Sequence, residues 1–179
     1  YLDEFCKSKG LKLKSMGAVH LEPMCVYSKK LKSLNDLADG AHVAIPNDPT
    51  NGGRALLLLA DKGVITLADG VGLSPTPLDV TANARNVEFL ELDAAQLPRA
   101  LDDVDLALIN TNYALQAKLN PLTDALLLED KQSPYVNVVV SRADNAQSPA
   151  LAKLMAALRA PATKQFILDK YKGAVVPAF

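Results

Sequence analysis

Hydrophobic and polar positions repeat with two periods along the chain, and these periods predict alternating strands and helices. Short apolar runs such as HVAIP, at His42–Pro46, and VDLALIN, which ends at Asn110, are typical of buried strands. Apolar residues spaced as on one helix face follow them, most clearly in NDPTNGGRALLLL at residues 47–59. This alternation predicts an α/β protein with a mostly parallel sheet.

Glycine, proline and serine mark the expected ends of these elements. The expected helix ends and strand breaks are Gly10, Pro23 and Gly63. Two serines are expected to cap helices: Ser33, in a short helix that ends at Gly40, and Ser148, in the first of two C-terminal helices.

Polar side chains follow the predicted strands, where ligands bind in open α/β sheets. They are Asn47, Asp48, Thr50, Asn51 and Arg54 after the first quoted strand, Asn110, Thr111, Asn112 and Tyr113 after the second, and Tyr135 and Asn137 beside VNVVV. Amides dominate this set, it contains one cation, and no nucleophile in it lies beside a base. The pattern therefore indicates binding rather than catalysis.

Arg54 lies in the first turn of a predicted helix, where the backbone dipole is already positive and an anionic partner is needed. A guanidinium binds a carboxylate in a bidentate manner, and N–H groups of the helix N-terminus can add to it. Amide oxygens can accept hydrogen bonds from an ammonium group. Arg54 with Asn110, Asn112 and Asn137 thus predicts an amino-acid site. The alternative is that Arg54 is an ordinary exposed helix residue and that Asn47, Asp48 and Thr50 are turn formers and caps. Each of the other asparagines could likewise be a turn or cap residue.

Composition and motifs exclude several other functions. A net charge of −1, 5% aromatic residues and no tryptophan argue against nucleic-acid binding. No apolar run approaches the ~20 residues of a membrane-spanning helix, and neither a phosphate loop nor G-x-G-x-x-G is present. His20 and Glu22 could form a proton-transfer pair or half of a metal site, without a third ligand in view. Cys6 and Cys25 lack metal-ligand spacing. Because the sequence also shows no cofactor motif and no nucleophile beside a base, we predict no metal, no cofactor and no enzyme activity.

Several motifs together carry a resemblance to a known family. The segment that begins VHLEPMCVYS and runs through NDPTNGGRAL, followed by INTNYALQAKLNP and SPYVNVVVSR, resembles the NlpA family of lipoproteins, the methionine-binding components of bacterial ABC uptake systems. The resemblance implies a type II periplasmic-binding-protein-like α/β fold, with two lobes joined by crossover segments and methionine captured in the cleft between them. It assigns residues 30–119 to lobe two, and residues 1–29 and 120–179 to the remainder of an incomplete lobe one.

The resemblance also implies roles for individual residues. It places the ligand carboxylate on Arg54 and the amino group among Asn110, Asn112 and Asn137. Tyr1 corresponds to an aromatic position that packs against the thioether, which is a favourable sulfur contact. Asn110 and Asn112 cannot be ranked, because either could project inward from the strand end. His20 lies in a family motif near the ligand but is not included among the binding residues.

Partners and location follow from the same resemblance. It implies L- or D-methionine as ligand, an ABC permease and ATPase as partners, and a periplasmic or cell-envelope location through a lipid anchor upstream of Tyr1. Family members carry a further segment there, so we expect the 179 residues alone to leave apolar surface uncovered and to self-associate or bind ligand poorly. Two alternatives remain: a binding protein for another amino acid or small carboxylate, and the ligand-sensing domain of a LysR-like regulator. An enzyme with Arg54 as substrate clamp would need a general base that the sequence does not show.

Overall fold

The computed structural model describes residues 1–130 and 132–179. The α-helices are α1 (Leu2–Lys9), α2 (Pro49–Asp61), α3 (Leu97–Ala100), α4 (Thr111–Gln116), α5 (Pro149–Leu158) and α6 (Pro161–Tyr171). The strands are β1 (Leu13–Leu21), β2 (Met24–Tyr27), β3 (His42–Pro46), β4 (Thr66–Leu67), β5 (Val80–Ala82), β6 (Glu88–Leu92), β7 (Leu106–Asn110), β8 (Leu127–Leu128), β9 (Asn137–Arg142) and β10 (Val176–Pro177). Single 3₁₀ turns lie at Leu34–Asp36, Pro77–Asp79 and Ala143–Asn145.

The chain divides into two compact units. The first comprises residues 1–23 and 130–179, and the second comprises residues 24–129. The family resemblance implies the corresponding boundaries at 29/30 and 119/120. The structure extends the second unit at both ends because β2 and β8 pair within its sheet. The equivalence of these units with the two lobes of the family stays a prediction.

The second unit contains a mixed five-stranded sheet with the order β6-β3-β7-β2-β8. β3 is parallel to β6 and β7, whereas β2 is antiparallel to β7 and β8. The first unit contains an antiparallel sheet with the order β10-β1-β9. The prediction of a mostly parallel sheet is therefore wrong. Only the strands that follow one another through α2 and α3 run parallel, since parallel neighbours need such crossover connections.

The core of the second unit lies on both faces of this sheet. Alternate residues of a strand point to opposite faces, so Val43 and Ile45 pack on one side while Ala44 packs on the other. Leu56 and Leu59 of α2 cover the first face. Burial on both sides explains why β3 and β7 read as nearly continuous apolar runs. Each fully buried Ile or Leu contributes on the order of 1.5–3 kcal/mol.

Adjacent glycines bring the first turns of α2 close to the rest of the unit. A Cβ on Gly52 would lie 2.7 Å from the carbonyl oxygen of Pro46, and one on Gly53 would lie 2.6 Å from the Cα of Ser74. Neither position has room for a side chain. The glycine pair thus fixes the position of the start of α2. Asn51 directly precedes the pair in the sequence, and Arg54 directly follows it.

Most of the predicted element ends are confirmed. Gly10 and Gly63 follow α1 and α2 with φ of 65° and 71°, and Pro23 separates β1 from β2. Ser33 caps only the 3₁₀ turn Leu34–Asp36, so the helix predicted to reach Gly40 is wrong. Ser148 occupies the N-cap position of α5, but within the described residues its side chain makes no capping hydrogen bond. In residues 1–130 and 132–179, no helix is long and apolar enough to cross a bilayer.

Candidate functional site

Arg54 is buried in α2 and its guanidinium faces a carboxylate of the same unit. Its Nε donates to both oxygens of Glu129, at 2.9 Å and 3.1 Å, and its Nη2 also donates to Oε2. The two side chains are 6% and 11% exposed. An ion pair so far removed from water is electrostatically strong, and each charge depends on the other. The alternative of an exposed helix residue at Arg54 is therefore wrong.

Glu129 also joins the two ends of the second unit. Its Oε2 accepts the N–H of Met24 at 3.0 Å, and its own N–H donates to the Met24 carbonyl oxygen at 2.9 Å. Met24 and Glu129 are the first and last residues of this unit. Through Glu129, Arg54 thus holds together the points at which the chain enters and leaves the unit. The expected anionic partner of Arg54 exists, and it belongs to the chain itself.

The N-terminus of α2 is capped from within. Asp48 is the N-cap residue, and its Oδ1 accepts the N–H of Asn51 at 3.0 Å. This confirms the interpretation of Asp48 as a cap. It also means that the Asn51 N–H, one of the donors expected to reach a ligand anion, already has a partner.

Asn110 stands at the end of β7, immediately before α4, and is linked to α2 by a hydrogen bond. Its Nδ2 donates to Oδ1 of Asn51 at 2.8 Å. Among the residues that the structure describes, nothing donates to Oδ1 of Asn110, although that atom is buried. A buried acceptor left without a donor costs about 1–3 kcal/mol, so this oxygen is a candidate contact for a ligand donor.

The shared edge of β3 and β7 brings together part of the predicted site. Because the two strands are parallel, Asn51 after β3 meets Asn110 at the end of β7. Asn112 lies two residues further on, in α4, and is exposed. The structure thus separates two asparagines that the sequence could not rank.

Tyr1 and Asn137 belong to the first unit. Tyr1 precedes α1, is 70% exposed and stacks on Phe5 with ring centroids 5.9 Å apart. Asn137 is the exposed first residue of β9 and lies opposite His20 of β1. Nε2 of His20 is 2.9 Å from Oε1 of Glu22, so the pair noticed in the sequence is formed. The ligand-binding roles of Tyr1 and Asn137 stay predictions.

Comparison with known proteins shows the family of the chain. The sequence pattern of the NlpA lipoprotein family matches residues 1–179. The chain belongs to the NlpA lipoprotein family. Over 178 residues it is 48% identical to the D-methionine-binding lipoprotein MetQ of Escherichia coli K12, an alignment that covers 98% of this chain. The NlpA-family chain spans 66% of the length of that curated relative.

Solved structures of related proteins confirm the predicted fold class. A nutrient binding protein from Burkholderia cenocepacia bound to methionine is 49% identical, with a TM-score of 0.97 over 100% of this chain and 76% of that one. An ABC transporter periplasmic substrate-binding protein from Coxiella burnetii is 44% identical, with a TM-score of 0.95 over 99% of this chain and 75% of that one. The NlpA-family chain therefore has the α/β fold of periplasmic binding proteins. This is a family of binding proteins rather than enzymes, and the regulator alternative loses its support.

Two features of the site are absent from the sequence prediction: Glu129, and the contact between Asn51 and Asn110. Glu129 is the acidic residue that directly follows the apolar run of β8. The rule of examining residues after strands would have found it. Asn51 is among the predicted polar residues that follow β3, but its contact with Asn110 spans 59 positions and has no local signature.

Other features of the NlpA-family chain do not add to this site. A cavity of about 170 Å³ lies where β3 ends and α2 begins, between Asn47, Glu91 and Pro75. None of the five predicted ligand-binding residues borders it. Within the described residues, no group of three or more His, Cys, Asp or Glu side chains could hold a metal ion.

The two cysteines are expected to differ sharply in reactivity. Cys25 is fully buried in β2, and this burial raises the pKa of its thiol to about 11, whereas Cys6 is partly exposed in α1. Because the thiolate is the reactive form, iodoacetamide should modify Cys6 of the folded protein and spare Cys25. Peptide mapping by mass spectrometry measures both sites, and denaturant should make them equally reactive. Rapid labelling of Cys25 in the folded protein would contradict its placement in the core.

Proposed function

We propose that the complete protein that contains this chain captures methionine and delivers it to an ABC importer. The observation that carries the proposal is the buried Oδ1 of Asn110, which has no donor among the described residues. The ammonium group of an amino acid is a donor of the required kind. The similarity to MetQ of Escherichia coli and to a methionine-bound nutrient binding protein supports methionine as the amino acid.

We assign the proposed contacts as follows. The ligand ammonium binds Oδ1 of Asn110, with Asn137 as a further amide contact. Asn110 is favoured over Asn112 for this role because it is the less exposed. The ligand carboxylate binds Arg54. Because Nε and Nη2 of Arg54 already donate to Glu129, the ligand carboxylate would be a second anion at that guanidinium. The ring of Tyr1 lies against the thioether.

The proposal extends to partners and location. An ABC permease and its ATPase receive the ligand, and a lipid anchor holds the complete protein at the cell envelope, on the periplasmic side. The names of the family and of its relatives support both statements. Capture and delivery require no cofactor and no chemical turnover. Self-association of the 179 residues alone stays a prediction.

A thermal-shift panel on the complete mature protein tests the ligand class. A ligand that binds only the folded state stabilises it by RT ln(1 + [L]/Kd), which is about 4.1 kcal/mol at a ligand concentration 1,000 times Kd. We expect L- or D-methionine to raise Tm by several degrees, and glutamate, lysine and acetate to leave it unchanged. If another amino acid raised Tm and methionine did not, the ligand would be that amino acid rather than methionine. No shift with any amino acid would contradict the proposed function.

A further inference from the structure

Three polar side chains of the second unit form a continuous chain of hydrogen bonds. Nδ2 of Asn51 donates to both carboxylate oxygens of Asp48, at 3.2 Å and 2.9 Å. Oδ1 of Asn51 accepts from Nδ2 of Asn110 at 2.8 Å. The chain therefore runs from a carboxylate through one amide to a second amide.

The carboxylate of Asp48 fixes which groups donate and which accept along this series of hydrogen bonds. An ionised carboxylate accepts hydrogen bonds and donates none, so Asn51 must turn its NH₂ group towards Asp48. Its carbonyl oxygen then faces Asn110, which must in turn present its own NH₂ group. The oxygen of Asn110 is thereby left pointing away from the chain, as an acceptor.

The local surroundings of Asn110 support a role outside helix capping. Asn110 occupies the N-cap position of α4, where an asparagine side chain commonly accepts an N–H from the first turn. Within the part of the chain that the structure describes, it makes no such bond, and its Oδ1 is buried without a donor. The side chain is committed to Asn51 instead. Gly52 lets α2 lie close to the end of β3, since a Cβ at this position would be 2.7 Å from the carbonyl oxygen of Pro46.

We propose that Asp48 and Asn51 are positioning residues that fix the direction of the Asn110 amide, so that the site presents an oxygen acceptor and selects ligands bearing an ammonium group. An ammonium can only donate, and it would meet a second donor if the amide were reversed. A hydroxyl group can donate or accept, and it would bind either orientation. The inference rests on the proposed function, because it assumes that an amino acid is the ligand.

The test compares two ligands and three variants in the complete protein. The ligands are L-methionine and 2-hydroxy-4-(methylsulfanyl)butanoate, in which a hydroxyl replaces the amine. The variants are Asp48→Asn, Asn51→Ala and the double variant. Asp48→Asn keeps an oxygen that can cap Asn51 but also supplies an NH₂ group, so it permits both amide directions. Asn51→Ala breaks the chain while the negative charge of Asp48 remains.

Asp79→Asn is the matched control. Asp79 is also a capping carboxylate of the second unit, and it accepts from the N–H of Thr76 at 2.7 Å. The control removes one negative charge and one carboxylate cap without touching the chain that leads to Asn110. We expect it to change the Kd for methionine by less than about twofold.

We expect Asp48→Asn and Asn51→Ala each to weaken methionine binding about tenfold and to leave binding of the hydroxy analogue within about twofold. The double variant should bind methionine as weakly as Asn51→Ala alone, since both substitutions disable one chain. Equal losses for the two ligands would show a purely structural role and overturn the inference. If the losses of methionine affinity were additive in the double variant, or if Asp48→Asn weakened binding and Asn51→Ala did not, the charge of Asp48 would act directly on the ligand. Either result would overturn the inference as well. If the wild-type protein bound no methionine, the proposed function would fail first, and the positioning role with it.

Discussion

Replacing Glu129 with glutamine is expected to lower the free energy of unfolding of the ligand-free complete protein by about 3–5 kcal/mol. The substitution preserves the shape of the side chain but leaves the charge of Arg54 without its counter-ion, and the Arg54 side chain is only 6% exposed. It also weakens the interaction that joins Met24 and Glu129 at the ends of the second unit. Urea denaturation followed by circular dichroism measures the loss through the midpoint and slope of the transition.

Two further variants separate the ion pair from a general loss of charge. Asp130→Asn removes the neighbouring carboxylate, which is exposed, and should cost less than about 1 kcal/mol. Arg54→Met combined with Glu129→Gln removes both charges, and it should be more stable than Glu129→Gln alone because no unpaired charge stays buried. A Glu129→Gln variant as stable as Asp130→Asn would contradict the account of Arg54.

Substituting Asn110 with alanine is expected to weaken methionine binding by roughly 10–150-fold, the loss of about 1.5–3 kcal/mol that follows removal of a hydrogen bond to a charged group. The reason is that its buried Oδ1 is the proposed acceptor for the ligand ammonium. Competition titration with the complete protein gives the ratio of the two Kd values.

Asn112→Ala is the matched control for this prediction, since the two asparagines lie two residues apart and only Asn112 is exposed. We expect Asn112→Ala to change the Kd by less than about threefold. The reverse order of effects would show that Asn112 faces the ligand, and would overturn the assignment made from burial.

The sequence predicts those parts of the fold that depend on short segments. Both ends of the strand His42–Pro46 are predicted correctly. Its residues after His42 are apolar on both faces, and Asn47, Asp48 and Pro49 follow directly. The antiparallel direction of β2 and β8 is not predicted. Direction depends on which strands a helical crossover connects, and β2 and β8 lie at the ends of the second unit.

The site was predictable in residue type more than in contacts. The expected anionic partner of Arg54 exists, but the reason given for it is wrong, because Arg54 is the sixth residue of α2 and lies beyond the first turn in which the helix dipole acts. The partner, Glu129, lies 75 residues later in the sequence. No local pattern connects the two. A ligand carboxylate was the nearest chemical explanation, and it now has to share the guanidinium with a carboxylate of the chain.

The sequence likewise does not show which of Asn110 and Asn112 is the buried one. Both follow β7, and the periodicity of a strand that turns into a helix does not say which side chain is buried. The decisive information is the contact of Asn110 with Asn51 in α2, which depends on the parallel pairing of β3 and β7 and on the close approach that Gly52 and Gly53 allow.

Isothermal titration of L-methionine into the complete mature protein tests the central claim most directly. The account predicts saturable binding to one site per chain, with alanine giving no heat under the same conditions. Heat that does not saturate, or the same response to alanine as to methionine, would contradict methionine capture by this protein.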